Sequence, residues 1–141
     1  MVNAAQVAYP TPPDMRLGWL ASADMAKLMV AALERPELAG RSLMVSGVEH
    51  PNGPELAAHF SEALGRPLTY HALPPREFGA ILDQAFGPGA GDRAATEYER
   101  LWQSTERPLM HTDMGPVLEL LPVRMQTLRE WVAAHAAAFT A

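Results

Sequence analysis

The feature that most limits what this chain can fold into is an apolar run followed directly by an amphipathic segment, RLGWLASADMAKLMVAALERPELAG, over residues 16–40. The run RLGWLA predicts a short strand. Ser22 is placed to cap the helix that follows, and Asp24 adds a favourable charge to its first turn. A strand leading into a helix is typical of α/β proteins. Five apolar residues at helical spacing predict that one face of this helix is buried: Met25, Leu28, Met29, Ala32 and Leu33.

Helix signals recur along the rest of the chain. Asn52 and Glu55 have the spacing of a capping box, and they predict a second helix that ends at Gly65. A second capping box, Thr127 with Glu130, predicts the last helix. Between these two helices, apolar residues at helical spacing begin again at Phe78 and at Ala94.

Two further apolar runs have the length of strands, RSLMVSG at residues 41–47 and PLTYHAL at residues 67–73. The sequence therefore predicts an α/β fold with about five helices and three short strands, in a single domain over residues 1–141. Three strands are few for an independent sheet, because sheets usually have about 4–6 strands.

The charge and composition argue against several classes of partner. The chain has 11 Lys and Arg against 16 Asp and Glu, a formal net charge of −5. This balance argues against nucleic acid, and a single lysine, Lys27, leaves no polybasic segment for a membrane surface. There is no cysteine, so disulfides and thiolate metal sites are excluded. Without a leader-like segment or an apolar run of about 18 residues, the chain is expected to be cytoplasmic and to have no membrane partner.

No catalytic motif is recognisable in the sequence. Gly87, Gly89 and Gly91 in GPGAG follow a predicted helix and not a strand, so the segment is predicted to link two helices. Ser46 lacks the first glycine of a nucleophile elbow and is interpreted as a turn serine. No two of the five histidines stand three or four residues apart, so no metal site is predicted. A Tyr-x-x-x-Lys dyad is absent, because Tyr9, Tyr70 and Tyr98 are followed at that spacing by Pro13, Pro74 and Trp102.

Three side chains are predicted to line a substrate pocket. Trp19 lies at the end of a predicted strand, and Met110 and His111 lie in a loop. Such positions are where α/β proteins form their ligand pockets. The other aromatic side chains fall mostly on helical stripes and are predicted to belong to the core.

Three segments carry a resemblance to a known family: RLGWLASADMAKLMVAALERPELAGRSLMVSG, ELAAHFSEALGRPLTYHALPPREFGAIL and RPLMHTDMGPVLELLPVRMQTLREWV. Together they resemble the C-terminal portion of NmrA-like proteins, which are atypical members of the short-chain dehydrogenase/reductase superfamily. The resemblance extends from about Asp14 to Val132.

The resemblance implies a Rossmann-type architecture in which RLGWLA is one of the last strands of a larger sheet. It also implies NAD(P) as the cofactor of the complete protein, held by an N-terminal half that this sequence does not include. The segments around Trp19 and around Met110 and His111 would then face the space between cofactor and substrate. No catalytic residue of the family can be placed on this sequence, and no cofactor is expected to bind this chain alone.

Three functions remain open at the level of the sequence. The first is the substrate-binding portion of an NAD(P)-dependent oxidoreductase, inactive alone and completed by a missing Rossmann half. The second is a free-standing, non-catalytic module that binds a small molecule or forms a homo-oligomer. The third is a small hydrolase or isomerase that uses Asp113 with His111, although Asp113 is better explained as the cap of a short helix near Pro116.

Overall fold

A computed structural model of the chain describes residues 1–2, 5–104 and 110–139. The strands are β1 (Gln6–Tyr9) and β2 (Thr69–Ala72). The helices are α1 (Ser22–Leu33), α2 (Gly53–Leu64), α3 (Pro75–Phe86), α4 (Asp92–Gln103), α5 (Gly115–Leu120) and α6 (Leu128–Ala134), with 3₁₀ turns at Pro36–Leu38 and Ala136–Phe139. The α/β class is confirmed, with six helices in the described residues where about five were expected. None of these helices has the length and apolar character needed to cross a membrane.

The two strands pair in parallel, from Gln6 opposite Thr69 to Tyr9 opposite Ala72. A parallel pair needs a long crossover, and here the crossover contains α1 and α2. Helix α2 packs against both strands, and α6 packs against α2. The first core cluster lies between these elements and contains Val7, Leu56, Ala57, Phe60, Leu68 and Val132.

The strand predictions are only partly correct. The run PLTYHAL contains β2, as expected, but RLGWLA and RSLMVSG form no strand. Leu17 forms a single parallel bridge with Met110, and Gly47 N–H donates to the Gly18 carbonyl (3.2 Å). A strand forms only where a neighbouring segment makes backbone hydrogen bonds with it along several residues. These two segments make only isolated backbone hydrogen bonds. Strand β1, which the sequence did not reveal, has such a neighbour in β2.

Helix α1 buries less of its apolar face than the spacing predicts. Leu28 is buried in a second core cluster, whereas Met29 is 61% exposed and Leu33 is 85% exposed. Ser22 does not cap the helix, because Ala21 occupies that position and no side chain supplies a capping hydrogen bond. The second cluster joins α1 to α5 and contains Leu28, Leu38, Met114, Val117, Leu121 and Met125.

Asp24 is the polar link between α1 and the segment that precedes α6. Its carboxylate is buried, with 1% of the residue exposed. Oδ1 accepts from the Lys27 ammonium (2.7 Å), and Oδ2 accepts from the Gln126 backbone N–H (2.8 Å). Lys27 also donates to the Arg124 carbonyl (3.1 Å). The sequence predicted a favourable charge near the helix start, but tertiary contacts give this carboxylate its main role.

Helices α2 and α6 begin with the capping boxes that the sequence predicts. Asn52 accepts from the Glu55 N–H while Glu55 accepts from the Asn52 N–H, and Thr127 and Glu130 do the same for α6. Helix α2 ends at Gly65, whose φ of 65° lies in the left-handed region that favours glycine. The caps satisfy backbone donors that would otherwise be unpaired.

Both capping glutamates also have lowered pKa values. The Arg16 guanidinium and then the Asn52 N–H lower the pKa of Glu55 below its usual 4.5. The Thr127 N–H and then Arg124 lower the pKa of Glu130 in the same way. A carboxylate with a lowered folded-state pKa stabilises the fold above its ordinary pKa, and this contribution is lost as the pH falls through the folded value.

We therefore expect the unfolding free energy from urea denaturation to fall as the pH is lowered from about 5 to about 3. The double variant Glu55→Gln, Glu130→Gln keeps a capping side chain but not the titrating charge. Its stability should depend less steeply on pH in that window. Glu62→Gln, at an exposed position 3.8 Å from Arg129, is the matched control and should retain the wild-type slope. An unchanged slope in the double variant would contradict the role of the two caps.

Candidate functional site

A cavity of about 720 Å³ lies between β1, the segment that enters α1, α2 and α6. Its volume falls in the range of about 300–1,000 Å³ that is typical of small-molecule sites. The wall is mostly apolar, and residues 20–23 form part of it. Its aromatic members are Tyr9, Trp19, Phe60, Trp131 and Phe139. The cavity is therefore suited to an apolar ligand with flat surfaces.

Trp19 is held in the wall by its backbone and by its ring. Gly18 N–H donates to the Met110 carbonyl (2.9 Å), which fixes the chain just before Trp19. A Cβ atom on Gly47 would lie 1.9 Å from the Trp19 carbonyl oxygen, so only glycine allows this approach. The indole packs edge-to-face with Tyr9, with ring centroids 4.8 Å apart. These contacts place a large aromatic surface at a defined position beside the cavity.

The opposite wall comes from α6 and the 3₁₀ turn after it. Trp131 and His135 stack with centroids 4.5 Å apart, and Phe139 packs edge-to-face on Phe60 at 5.4 Å. The start of α6 is held by a third acceptor besides its capping box, because Leu128 N–H donates to Glu49 (2.5 Å). The sequence predicted the residues of this wall as the apolar face of the last helix. Periodicity alone does not show whether such a face packs against the core or lines a cavity.

The hydroxyl of Tyr9, which lines the cavity, is bound by a second tyrosine outside the cavity wall. Tyr9 and Tyr98 share a hydrogen bond (2.8 Å) between their hydroxyl oxygens, which joins β1 to α4. Burial, and then the hydrogen bond with Tyr9, raises the pKa of Tyr98 well above its ordinary value of 10. Burial also raises the pKa of Tyr70, although hydrogen bonds with Thr11 oppose the shift. The Tyr9 hydroxyl is thus committed to a protein partner, while its ring contributes to the cavity wall.

One polar atom near the cavity has no partner. The Nε1–H of Trp19 is buried and finds no acceptor among the residues that the structure describes. By contrast, Trp102, on α4, donates its Nε1–H to the Pro10 carbonyl (3.0 Å). An unpaired buried donor is uncommon in folded proteins, because it costs about 1–3 kcal/mol.

The structure does not bring the three predicted pocket residues together. Trp19 lines the cavity, whereas Met110 and His111 lie outside its wall. Met110 is 47% exposed, and His111 stacks on His50 with centroids 4.1 Å apart. A direct contact of Met110 or His111 with a substrate stays a prediction. Pro108 and Leu109, which precede Met110 in the predicted loop, lie outside the described residues.

The other candidates for chemistry have structural partners. Ser46 is buried, and its hydroxyl accepts from the Thr112 N–H (3.1 Å), which ties the loop before α2 to the loop before α5. Asp113 accepts from the Gly115 N–H (2.9 Å) at the start of α5, close to its predicted capping role. GPGAG connects α3 with α4, as predicted, and Gly91 N–H donates to Asp83 (2.8 Å).

Comparison with known proteins identifies relatives of this fold. No family model matches the chain. The chain is 28% identical over 130 residues to an NAD(P)H azoreductase from Xenophilus azovorans, an alignment that covers 89% of this chain and 43% of the azoreductase. A nucleoside-diphosphate-sugar epimerase from Staphylococcus aureus is 25% identical, with a TM-score of 0.71, over 91% of this chain and 43% of the epimerase.

Two further solved structures share the fold at lower identity. An NADPH-dependent quinone oxidoreductase from Escherichia coli is 19% identical, with a TM-score of 0.68, over 92% of this chain and 46% of that one. A triphenylmethane reductase from Citrobacter, solved with NADP(H), is 16% identical, with a TM-score of 0.66, over 92% and 44%. The chain spans less than half the length of each of these proteins. In line with the predicted resemblance, the chain is similar to a portion, less than half in length, of an NAD(P)H azoreductase and a nucleoside-diphosphate-sugar epimerase, and it shares its fold with two NADPH- or NADP(H)-linked reductases.

Proposed function

We propose that this chain is the substrate-binding portion of an NmrA-like, NAD(P)-dependent reductase, and that its cavity holds the flat, conjugated part of the substrate. The observation that carries the proposal is the cavity of about 720 Å³ with Tyr9, Trp19 and Trp131 in its wall. The relatives support it, because one is named for azo compounds, one for quinones and one for triphenylmethane compounds. Quinones, aromatic azo compounds and triphenylmethane compounds all carry flat aromatic or conjugated rings that can stack on aromatic side chains.

The glycine-rich segment of this chain does not have the arrangement of a phosphate loop for NAD(P). The glycine-rich segment at residues 87–91 follows a helix, and the N–H of Gly91 already donates to Asp83. A phosphate loop needs a strand before it and free N–H groups that face the ligand. We therefore assign NAD(P) to the portion of the relatives that this chain does not match. It follows that the chain by itself should not turn over a substrate.

Calorimetric titration tests both parts of the proposal. We expect 1,4-naphthoquinone to bind saturably, and NADPH and NADH to give no heat of binding at about 1 mM. Trp131→Leu removes an aromatic wall and should weaken naphthoquinone binding about tenfold, which corresponds to about 1.4 kcal/mol. Trp102→Leu, at a tryptophan outside the cavity wall, is the matched control and should bind as the wild type does.

Two results would contradict the proposal. Naphthoquinone binding that is absent, or that Trp131→Leu and Trp102→Leu weaken equally, would remove the cavity as the substrate site. Saturable micromolar binding of NADPH would mean that this chain contains a nucleotide site, and the role of residues 87–91 as a linker would be the first to be reconsidered.

A second candidate function is a free-standing module that forms a homo-oligomer. The exposed apolar side chains of α1 favour it, because Met29, Val30 and Leu33 present a continuous helical face to solvent. Light scattering on the purified chain separates the two candidates. A stable homo-oligomer with a cooperative unfolding transition favours the module. A monomer that aggregates or unfolds without cooperativity favours a portion that a Rossmann half completes, because that half would cover the same face.

A further inference from the structure

The indole N–H of Trp19 is an unpaired donor on a side chain of the cavity wall. Trp19 is part of the wall, and its Nε1 is buried without an acceptor among the described residues. Its ring is held by Tyr9, so the N–H cannot rotate freely toward water. A donor in this state gains a full hydrogen bond when an acceptor arrives, because it has no water partner to give up.

Three polar side chains of the cavity wall already have protein partners. Thr127 is engaged as the cap of α6, where its hydroxyl accepts from Glu130 N–H (3.2 Å). The His135 Nδ1–H donates a hydrogen bond to the Trp131 carbonyl (2.7 Å), and the residue is exposed to solvent. The Tyr9 hydroxyl pairs with Tyr98. Among these groups, the Trp19 donor is the one with an unmet hydrogen bond.

We propose that the Trp19 indole N–H is the group that orients the ligand, and that it selects flat conjugated compounds with a hydrogen-bond acceptor on the ring system, such as a quinone oxygen or an azo nitrogen. The inference rests on the proposed function, because it requires the cavity to hold such a compound. The N–H is buried, so a ligand acceptor reaches it through a small shift of the surrounding side chains. Trp19 is in this view a specificity-determining residue and not a catalytic one.

The test compares two ligands that share a ring system, 1,4-naphthoquinone and naphthalene. Only the quinone has acceptor atoms, and the chain has no cysteine to which it could add. In ¹⁵N-labelled protein the three tryptophan indole N–H signals are assigned by replacing each tryptophan with phenylalanine. We expect naphthoquinone to move the Trp19 signal downfield, because a hydrogen bond to the indole N–H has that effect. Naphthalene should cause no downfield shift.

Affinity gives the second measurement. Trp19→Phe keeps an aromatic wall but removes the donor, so naphthoquinone binding should weaken about tenfold while naphthalene binding changes little. Trp102→Phe is the matched control, since its indole already donates to Pro10, and both affinities should stay as in the wild type. The shift of the Trp19 signal is read on unmodified protein, so it decides the question even if Trp19→Phe folds poorly.

The outcomes separate this inference from the proposed function. If neither ligand binds, the proposed function fails, and the inference fails with it. If both ligands bind with similar affinity and the Trp19 signal shows no downfield shift with naphthoquinone, the cavity remains a site for flat compounds but Trp19 does not select among them. A naphthoquinone preference that Trp19→Phe leaves intact would likewise overturn the inference.

Discussion

Replacing Gly47 by alanine is expected to lower the unfolding free energy by about 3 kcal/mol and to abolish ligand binding in the cavity. The added Cβ would lie 1.9 Å from the Trp19 carbonyl oxygen and 2.6 Å from its carbonyl carbon. Both are backbone atoms, so the clash is relieved only by moving one of the two segments. That movement breaks the hydrogen bond from Gly47 N–H to Gly18 and displaces the wall to which Trp19 belongs. Urea denaturation and naphthoquinone titration measure the two effects.

Gly89→Ala provides the control for this variant. Its Cβ would meet nothing within 4 Å, but its φ of 86° is unfavourable for a side chain, so a loss of about 1 kcal/mol is expected without any change in binding. The difference between the two variants isolates the steric contact at Gly47 from the general cost of adding a side chain to glycine. If Gly47→Ala is no less stable than Gly89→Ala and still binds naphthoquinone, the close packing against Trp19 does not maintain the cavity.

Asp24→Ala is expected to lower the unfolding free energy by about 2–3 kcal/mol. The variant leaves the Gln126 N–H without its acceptor and removes the ion pair with Lys27, although Lys27 can turn to solvent. Gln126 and Thr127 line the cavity, so the loss should also weaken naphthoquinone binding. Denaturation and calorimetry again give both quantities.

Two further variants test the origin of this effect. Asp24→Asn retains an acceptor oxygen but not the charge, so it should lose less stability than Asp24→Ala. Glu97→Ala removes an exposed carboxylate that pairs with Arg100 on α4, and it should change stability by no more than about 0.5 kcal/mol. If Asp24→Ala costs no more than Glu97→Ala, the carboxylate does not link α1 to the segment before α6.

Features that depend on neighbours in the sequence could be predicted well. The capping boxes at Asn52 and Thr127 join residues three positions apart, and the left-handed turn at Gly65 depends on that residue alone. The role of GPGAG as a linker followed from the helix before it. The α/β class and the resemblance to reductases could be predicted for the same reason, because both rest on patterns within short segments of the sequence.

The site could be predicted only in part. Trp19 was identified from its place at the end of an apolar run, and it lines the cavity. Met110 and His111 were grouped with it because they lie in a loop, and neither is in the cavity wall. The Gly18 N–H donates to the Met110 carbonyl, and the Ser46 hydroxyl accepts from the Thr112 N–H of the same loop. Trp131 and Phe139 were predicted only as part of the apolar face of the last helix, and such a face looks the same in the sequence whether it meets other side chains or a cavity.

The sequence by itself determined where α2 and α6 begin and where α2 ends, because capping boxes and glycine conformations are decided by groups within a few residues of one another. Only the tertiary structure decided which apolar segments became strands, how much of α1 is buried, and which aromatic side chains surround a cavity. Strand β1 exists because β2, distant in the sequence, supplies its hydrogen-bond partners, while RLGWLA finds one bridge at Leu17. Burial and strand pairing depend on what the chain meets in space, and local patterns do not contain that information.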